Sequence, residues 1–159
     1  MKLLILSAIT LFLVHFSSVG QDLSPYVKVG ESTLSMQEIS DKVIQNLKDN
    51  SFTVLGTYNP SNKNTLKVIA FTRNDLKKTV IKVKDRGALA AIMKVGLVMK
   101  GDKVIISYTN PDYILRAYLA SDYNTYKSTF VNFSKDLKGA FSSLGNEFTP
   151  FGGTVEADK

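Results

Sequence analysis

Tyr26-Val27-Lys28-Val29 alternates apolar and polar positions between Pro25 and Gly30, the pattern of a short strand with one buried face. A helical repeat follows at once. Ser35 and Glu38 stand at capping-box spacing, and Ile39, Val43, Ile44 and Leu47 then recur on one face of a helix that Asn50, in a left-handed cap, would stop. Phe52-Thr53-Val54-Leu55 and Leu66-Lys67-Val68-Ile69-Ala70-Phe71 are rich in β-formers and read as strands. The polar run Asn59 to Asn64 joins them as an exposed loop. Asn74 to Arg86 satisfies two patterns: Leu76, Val80 and Val83 fit a helical stripe, while Thr79, Ile81 and Val83 alternate. A short helix is the reading adopted here. Small residues from Gly87 lead to strands at Met93–Met99 and Val104–Tyr108, which Gly101-Asp102 joins as a hairpin. Tyr126, Phe130, Phe133, Leu137, Phe141 and Leu144 then keep helical spacing up to Gly145. The sheet is the nearest surface on which that stripe can be buried.

The order is strand, helix, four strands, helix, with short helical insertions after the third and fifth strands. It predicts an α+β domain with an antiparallel five-stranded sheet covered on one face by helices. Residues 21–145 form that single domain and 146–159 a C-terminal tail. Ahead of it, Met1-Lys2, an apolar run of 12 residues and Ser18-Val19-Gly20 have the three parts of a signal peptide, with cleavage expected after Gly20. Spanning a bilayer takes about 20 apolar residues. The expectation is therefore an exported protein, periplasmic or secreted, with no transmembrane span in its mature chain.

Export sharpens what the composition excludes. The chain has no Cys, no Trp and a single His, His15, which leaves with the signal. The mature chain therefore offers no His-centred triad, thiol nucleophile, nitrogen- and sulfur-ligated zinc site or His- or Cys-ligated haem. No metal or cofactor is expected. The stability of the domain must come from its hydrophobic core, since no disulfide can be formed. Charge is concentrated between Lys63 and Arg86, where Lys63, Lys67, Arg73, Lys77, Lys78, Lys82, Lys84 and Arg86 meet only Asp75 and Asp85. Nucleic acid is not the expected partner of an exported protein, and the run lacks aromatics for base stacking apart from Phe71, which the strand pattern places inside. Phospholipid headgroups, lipopolysaccharide phosphates or acidic polysaccharide fit the charge. A solvated helix face is the simpler explanation.

Candidate chemistry gathers at two corners. Thr72-Arg73-Asn74-Asp75 and Thr109-Asn110-Pro111-Asp112 each follow a strand and an aromatic residue, Phe71 or Tyr108. Both read first as helix starts, with Asn as the cap, Pro111 at the first helical position and Asp opposing the helix dipole. In an up-and-down sheet the third and fifth strands point the same way, which puts the two starts at one end about 10 Å apart. Arg73, Asn74, Tyr108, Asn110, Tyr113 and Arg116 would then form a polar patch for a small anionic or hydroxylated ligand. No Ser-x-x-Lys pair, glycine-rich phosphate loop, calcium loop or metal-binding helix occurs. A carboxylate- or Tyr-based hydrolase or isomerase is the alternative, and it requires those groups to share one concave site.

Tyr26-Val27-Lys28-Val29-Gly30, Val68-Ile69-Ala70-Phe71-Thr72, Gly87-Ala88-Leu89-Ala90-Ala91 and, most distinctively, Ser107-Tyr108-Thr109-Asn110-Pro111-Asp112-Tyr113 with Ala117-Tyr118 resemble bacterial proteins of the domain of unknown function 302 family. The resemblance covers residues 26–145. It implies a compact α+β fold akin to the TATA-binding-protein and Bet v 1 architectures, homodimers in many members, and no settled activity or catalytic residues. Members continue past the pair seen here as Phe151-Gly152, which would make Gly153–Lys159 a shortened tail. The expected function is that of an exported, non-enzymatic binding or interaction domain, with a small anionic ligand or a protein as partner.

Overall fold

The structure is a computed structural model, and it describes residues 22–156; the expected signal peptide lies outside the described residues. Helix α1 (Met36–Asp49) starts where the capping box requires: the Glu38 N–H donates to the Ser35 hydroxyl and the Ser35 N–H donates to the Glu38 carboxylate at 2.9 Å. Its end differs from expectation by one residue. Asn50 is not left-handed, and Ser51 takes that conformation at φ 65°. The N–H groups of Ser51 and Phe52 return to the carbonyls of Lys48 and Leu47, a Schellman arrangement that needs the left-handed residue one place beyond the cap. Phe52 and Leu47 are both buried, so the motif also seals the helix end against the core.

Strands β1 (Asp22–Leu23), β2 (Tyr26–Ser32), β3 (Thr53–Tyr58), β4 (Leu66–Thr72), β5 (Met93–Lys100) and β6 (Lys103–Thr109) lie where the apolar patterns put them, apart from the added β1. Gly101, at φ 64°, supplies the left-handed residue of the β5–β6 turn. The main sheet runs β3-β4-β5-β6-β2-β7, with every pairing antiparallel. It therefore has six strands rather than five. The sixth, β7 (Thr149–Phe151), comes from the expected tail and pairs Tyr26 with Phe151 and Lys28 with Thr149. Beyond it, β8 (Val155–Glu156) pairs with β1. Three residues are too few to show a period, and Pro150 argues against a strand unless that strand lies at an edge, as β7 does.

Alternation along β5 and β6 divides the sheet into two unlike faces. Val29, Ile69, Phe71, Met93, Val95, Leu97, Val104 and Ile106 are buried beneath helices. Helix α4 (Lys127–Phe141) lays Phe130, Phe133, Leu137 and Phe141 on that face, as the aromatic stripe predicts. It is shorter than its pattern: Tyr126 belongs to the preceding 3-10 turn (Ala120–Tyr126) and Leu144 lies beyond the helix. Asn46 of α1 donates to the Ala140 carbonyl and the Ser143 hydroxyl, tying the two long helices together. The two insertions are α2 (Asn74–Val80) and α3 (Pro111–Leu119). In α2 the helical reading of the ambiguous stretch holds as far as Val80, because Leu76 and Val80 are both fully buried at i,i+4 spacing.

Candidate functional site

Strands β4 and β6 both flank β5 antiparallel to it, so the helix starts that follow them do open at the same end of the sheet. Their side chains join two separate clusters. At the first corner Arg73 is buried, with Nε and Nη2 on the two oxygens of Asp75 at 2.7 and 2.8 Å and Nη1 on Asp136 of α4 at 2.7 Å. Its guanidinium lies over the rings of Phe52 and Phe133, 5.1 and 4.9 Å from their centroids. Burial pulls the Arg73 pKa down, but the two carboxylates outweigh it and hold the guanidinium charged. For Asp75, burial works against ionisation, yet Arg73 and the Leu76 N–H keep its pKa below the usual range. Asn74 does not cap α2. Extended backbone at Arg73 places the cap position there, so Asn74 is already the first helical residue.

At the second corner Asn110 does cap α3, accepting the Asp112 N–H, with Pro111 at the first helical position. The Asn110 amide also donates to the Ser24 carbonyl at 2.8 Å, so the cap holds the segment that leads into β2. Asp112 takes Nε of Arg116 at 3.2 Å and accepts a hydrogen bond from the Tyr123 hydroxyl. Arg116 stacks over the Tyr123 ring at 4.2 Å. Tyr108 lies on the helix-covered face against Phe141, with ring centroids 5.3 Å apart, and Tyr113 is half-buried on α3. Both arginines thus compensate nearby carboxylates, and the side chains that Arg73 meets are not those that Arg116 meets. Among the described residues no three carboxylates gather as a metal site requires.

Burial pushes the Tyr108 phenol up to about 12. Burial, reinforced by Asp112, does the same for Tyr123. A phenol whose folded pKa exceeds its unfolded value of about 10 favours the fold fully below pH 10 and loses that contribution as pH climbs toward 12. Tyr108→Phe keeps the ring and removes the ionisation. Urea unfolding followed from pH 8 upward is expected to show its alkaline decline reduced by about 2 kcal/mol relative to the native chain. An unchanged decline would place the hydroxyl in contact with solvent.

Among the described residues no helix lies on the opposite face of the sheet. Register pairs its outward residues across the strands: Val68 with Gly96, Gly96 with Ser107, Ala70 with Lys94, Val98 with Ile105, and Tyr26 with Thr109 and Phe151. The Tyr26 and Phe151 rings, tilted by 33°, lie 5.5 Å apart and remain 46% and 43% exposed. Because Gly96 has no side chain, a hollow of about 200 Å³ opens above it, bounded by Tyr26, Val68, Lys94, Ser107 and Thr109. Ser107 and Thr109 line it, their hydroxyls donating to the Gly96 and Lys94 carbonyls at 3.3 Å, and Lys94 supplies a cation. Sequence reasoning passed over this face. Its trace was the missing alternation in Val68-Ile69-Ala70-Phe71, which a strand with a fully solvated face would not show.

An antiparallel sheet with helices on one side and an open, partly apolar face on the other defines a two-layer α+β protein. Within that class, the chain has the fold of the uncharacterized conserved protein DUF302 from Bacillus stearothermophilus. The likeness covers 73% of this chain and 93% of that one, with a TM-score of 0.59 and 13% sequence identity. The residue resemblance implied the same fold. No family model and no curated protein matches the sequence.

Proposed function

We propose that the chain is an exported, non-catalytic binding domain whose ligand surface is the open sheet face, centred on the Gly96 hollow. One observation carries this reading: the open face joins the Tyr26–Phe151 aromatic pair to a depression lined by Tyr26, Ser107, Thr109 and Lys94. Aromatic surface suits the apolar face of a sugar-like ring, and the hydroxyls and ammonium suit its hydroxyl or anionic substituents. Drug-sized ligands occupy about 300–1,000 Å³, so a hollow of this size suits a single ring or acidic group. The catalytic alternative needs its carboxylates and tyrosines in one concave site. In support of the non-catalytic reading, Asp75 pairs with Arg73, Asp112 pairs with Arg116, and Tyr108 lies under α4.

Native mass spectrometry of protein recovered from its own periplasm or medium tests this. A retained small-molecule adduct is expected, and it should be lost in Gly96→Val, which fills the hollow, and weakened in Lys94→Glu. A Cβ at Gly96 would meet only the Ser107 hydroxyl, at 3.3 Å, so the fold should tolerate the change. An adduct that persists in both folded variants would move the ligand elsewhere. N-terminal sequencing of the same material is expected to begin at Gln21. Recovery of Met1 would overturn export.

A further inference from the structure

The chain from Lys77 to Ile92 leaves the sheet as α2, turns through Ile81–Arg86 and returns as a 3-10 turn at Gly87–Ala91. Gly87 closes the excursion, since a Cβ there would lie 2.4 Å from the Val80 carbonyl oxygen and 2.7 Å from the Val83 side chain. Leu76, Val80 and Ala90 turn into the core, and Val83 and Ala91 pack against it. Ile81, Leu89 and Ile92 do the opposite, remaining 65%, 63% and 49% exposed. In the same segment Lys77, Lys78, Lys82, Lys84 and Arg86 are all exposed, with Asp85 the single acidic residue. Among the described residues none of these five cations is in an ion pair.

We infer that this excursion is a docking surface for an anionic lipid bilayer. Charge alone would suit any polyanion, and a free phosphate gains nothing from exposed aliphatic side chains. Ile81, Leu89 and Ile92 on one closed excursion that also carries four exposed lysines and Arg86 match the needs of an interface. Aliphatic side chains enter the acyl boundary while ammonium groups remain at headgroup phosphates. The surface uses none of the residues around the Gly96 hollow, so it stands or falls separately from the ligand reading.

The chain contains no tryptophan, so Leu89→Trp in the mature protein supplies a single tryptophan, excited apart from the tyrosines at its red edge, at the proposed contact. With vesicles of phosphatidylglycerol in phosphatidylcholine, its emission is expected to shift to the blue and the protein to co-float. Phosphatidylcholine vesicles alone should give neither effect. Each cation near an anionic surface contributes about a five-fold gain in partitioning, so Lys82→Glu with Lys84→Glu should weaken co-flotation by about 25-fold or more. Ile81→Gln with Ile92→Gln, which preserves the charge, should weaken it by about ten-fold or more while circular dichroism stays native. Absence of co-flotation, binding that survives loss of both isoleucines, or equal displacement by inorganic phosphate would each overturn the proposal. The last two results would describe a simple polycation.

Discussion

Phe133→Ala is expected to lower the free energy of unfolding by about 3–5 kcal/mol, the usual range for deleting a buried phenylalanine. Phe133 is fully buried at the centre of α4, meets the Phe52 ring edge-on at 5.5 Å and forms one wall of the Arg73 slot. Its removal therefore opens a cavity and also strips an aromatic face from a buried cation. Urea or thermal unfolding measures the effect. A loss below about 1 kcal/mol would mean that α4 does not seal the sheet as described.

Gly145→Ala is expected to cost about 2–4 kcal/mol, the sum of overpacking against a backbone and one lost hydrogen bond. The sequence pattern placed Gly145 at the end of the last helix, but that helix stops at Phe141. The glycine is needed for proximity instead: a Cβ would sit 2.4 Å from the Val29 carbonyl oxygen and 3.1 Å from the Gly30 Cα. Val29 stands at the irregularity of β2 between Lys28 and Gly30, and its carbonyl accepts the Glu147 N–H at 2.9 Å. Glu147 in turn pairs with Lys28. Any Cβ at position 145 must push this junction apart and loosen β7 with it. Denaturant unfolding together with amide exchange at Glu147 would show both effects. A neutral result would mean that the segment after α4 can shift away from β2 freely.

The candidate site was much less legible than the fold. Arg73 and Arg116 stood out as charges in excess of capping needs, and beside their local partners Asp75 and Asp112 they meet Asp136 and Tyr123, 63 and 7 residues further along the chain. No local pattern reveals a pairing across that separation. Asn110 was readable because its cap depends on the next two residues, whereas its bond to Ser24 was not. The lysine run was plain in the sequence. What surrounds it was not, because Ile81 fits a buried strand position as well as it fits an exposed residue just past a helix.

By itself, the sequence determined the features set by near neighbours: the capping box at Ser35, the turn at Gly101, the apolar faces of α1 and α4, and the strands β2 to β6. Each rests on hydrogen bonds or side-chain periods spanning a few residues, so the order of residues is enough. Only the tertiary structure decided that Thr149-Pro150-Phe151 closes the sheet beside β2, that Gly145 serves a close approach, that Arg73 is held between two carboxylates and two rings, and that the helices of the described residues all gather on one sheet face. Those outcomes depend on which distant surfaces meet once the core has been buried, and a short or ambiguous segment takes the state its neighbours impose on it.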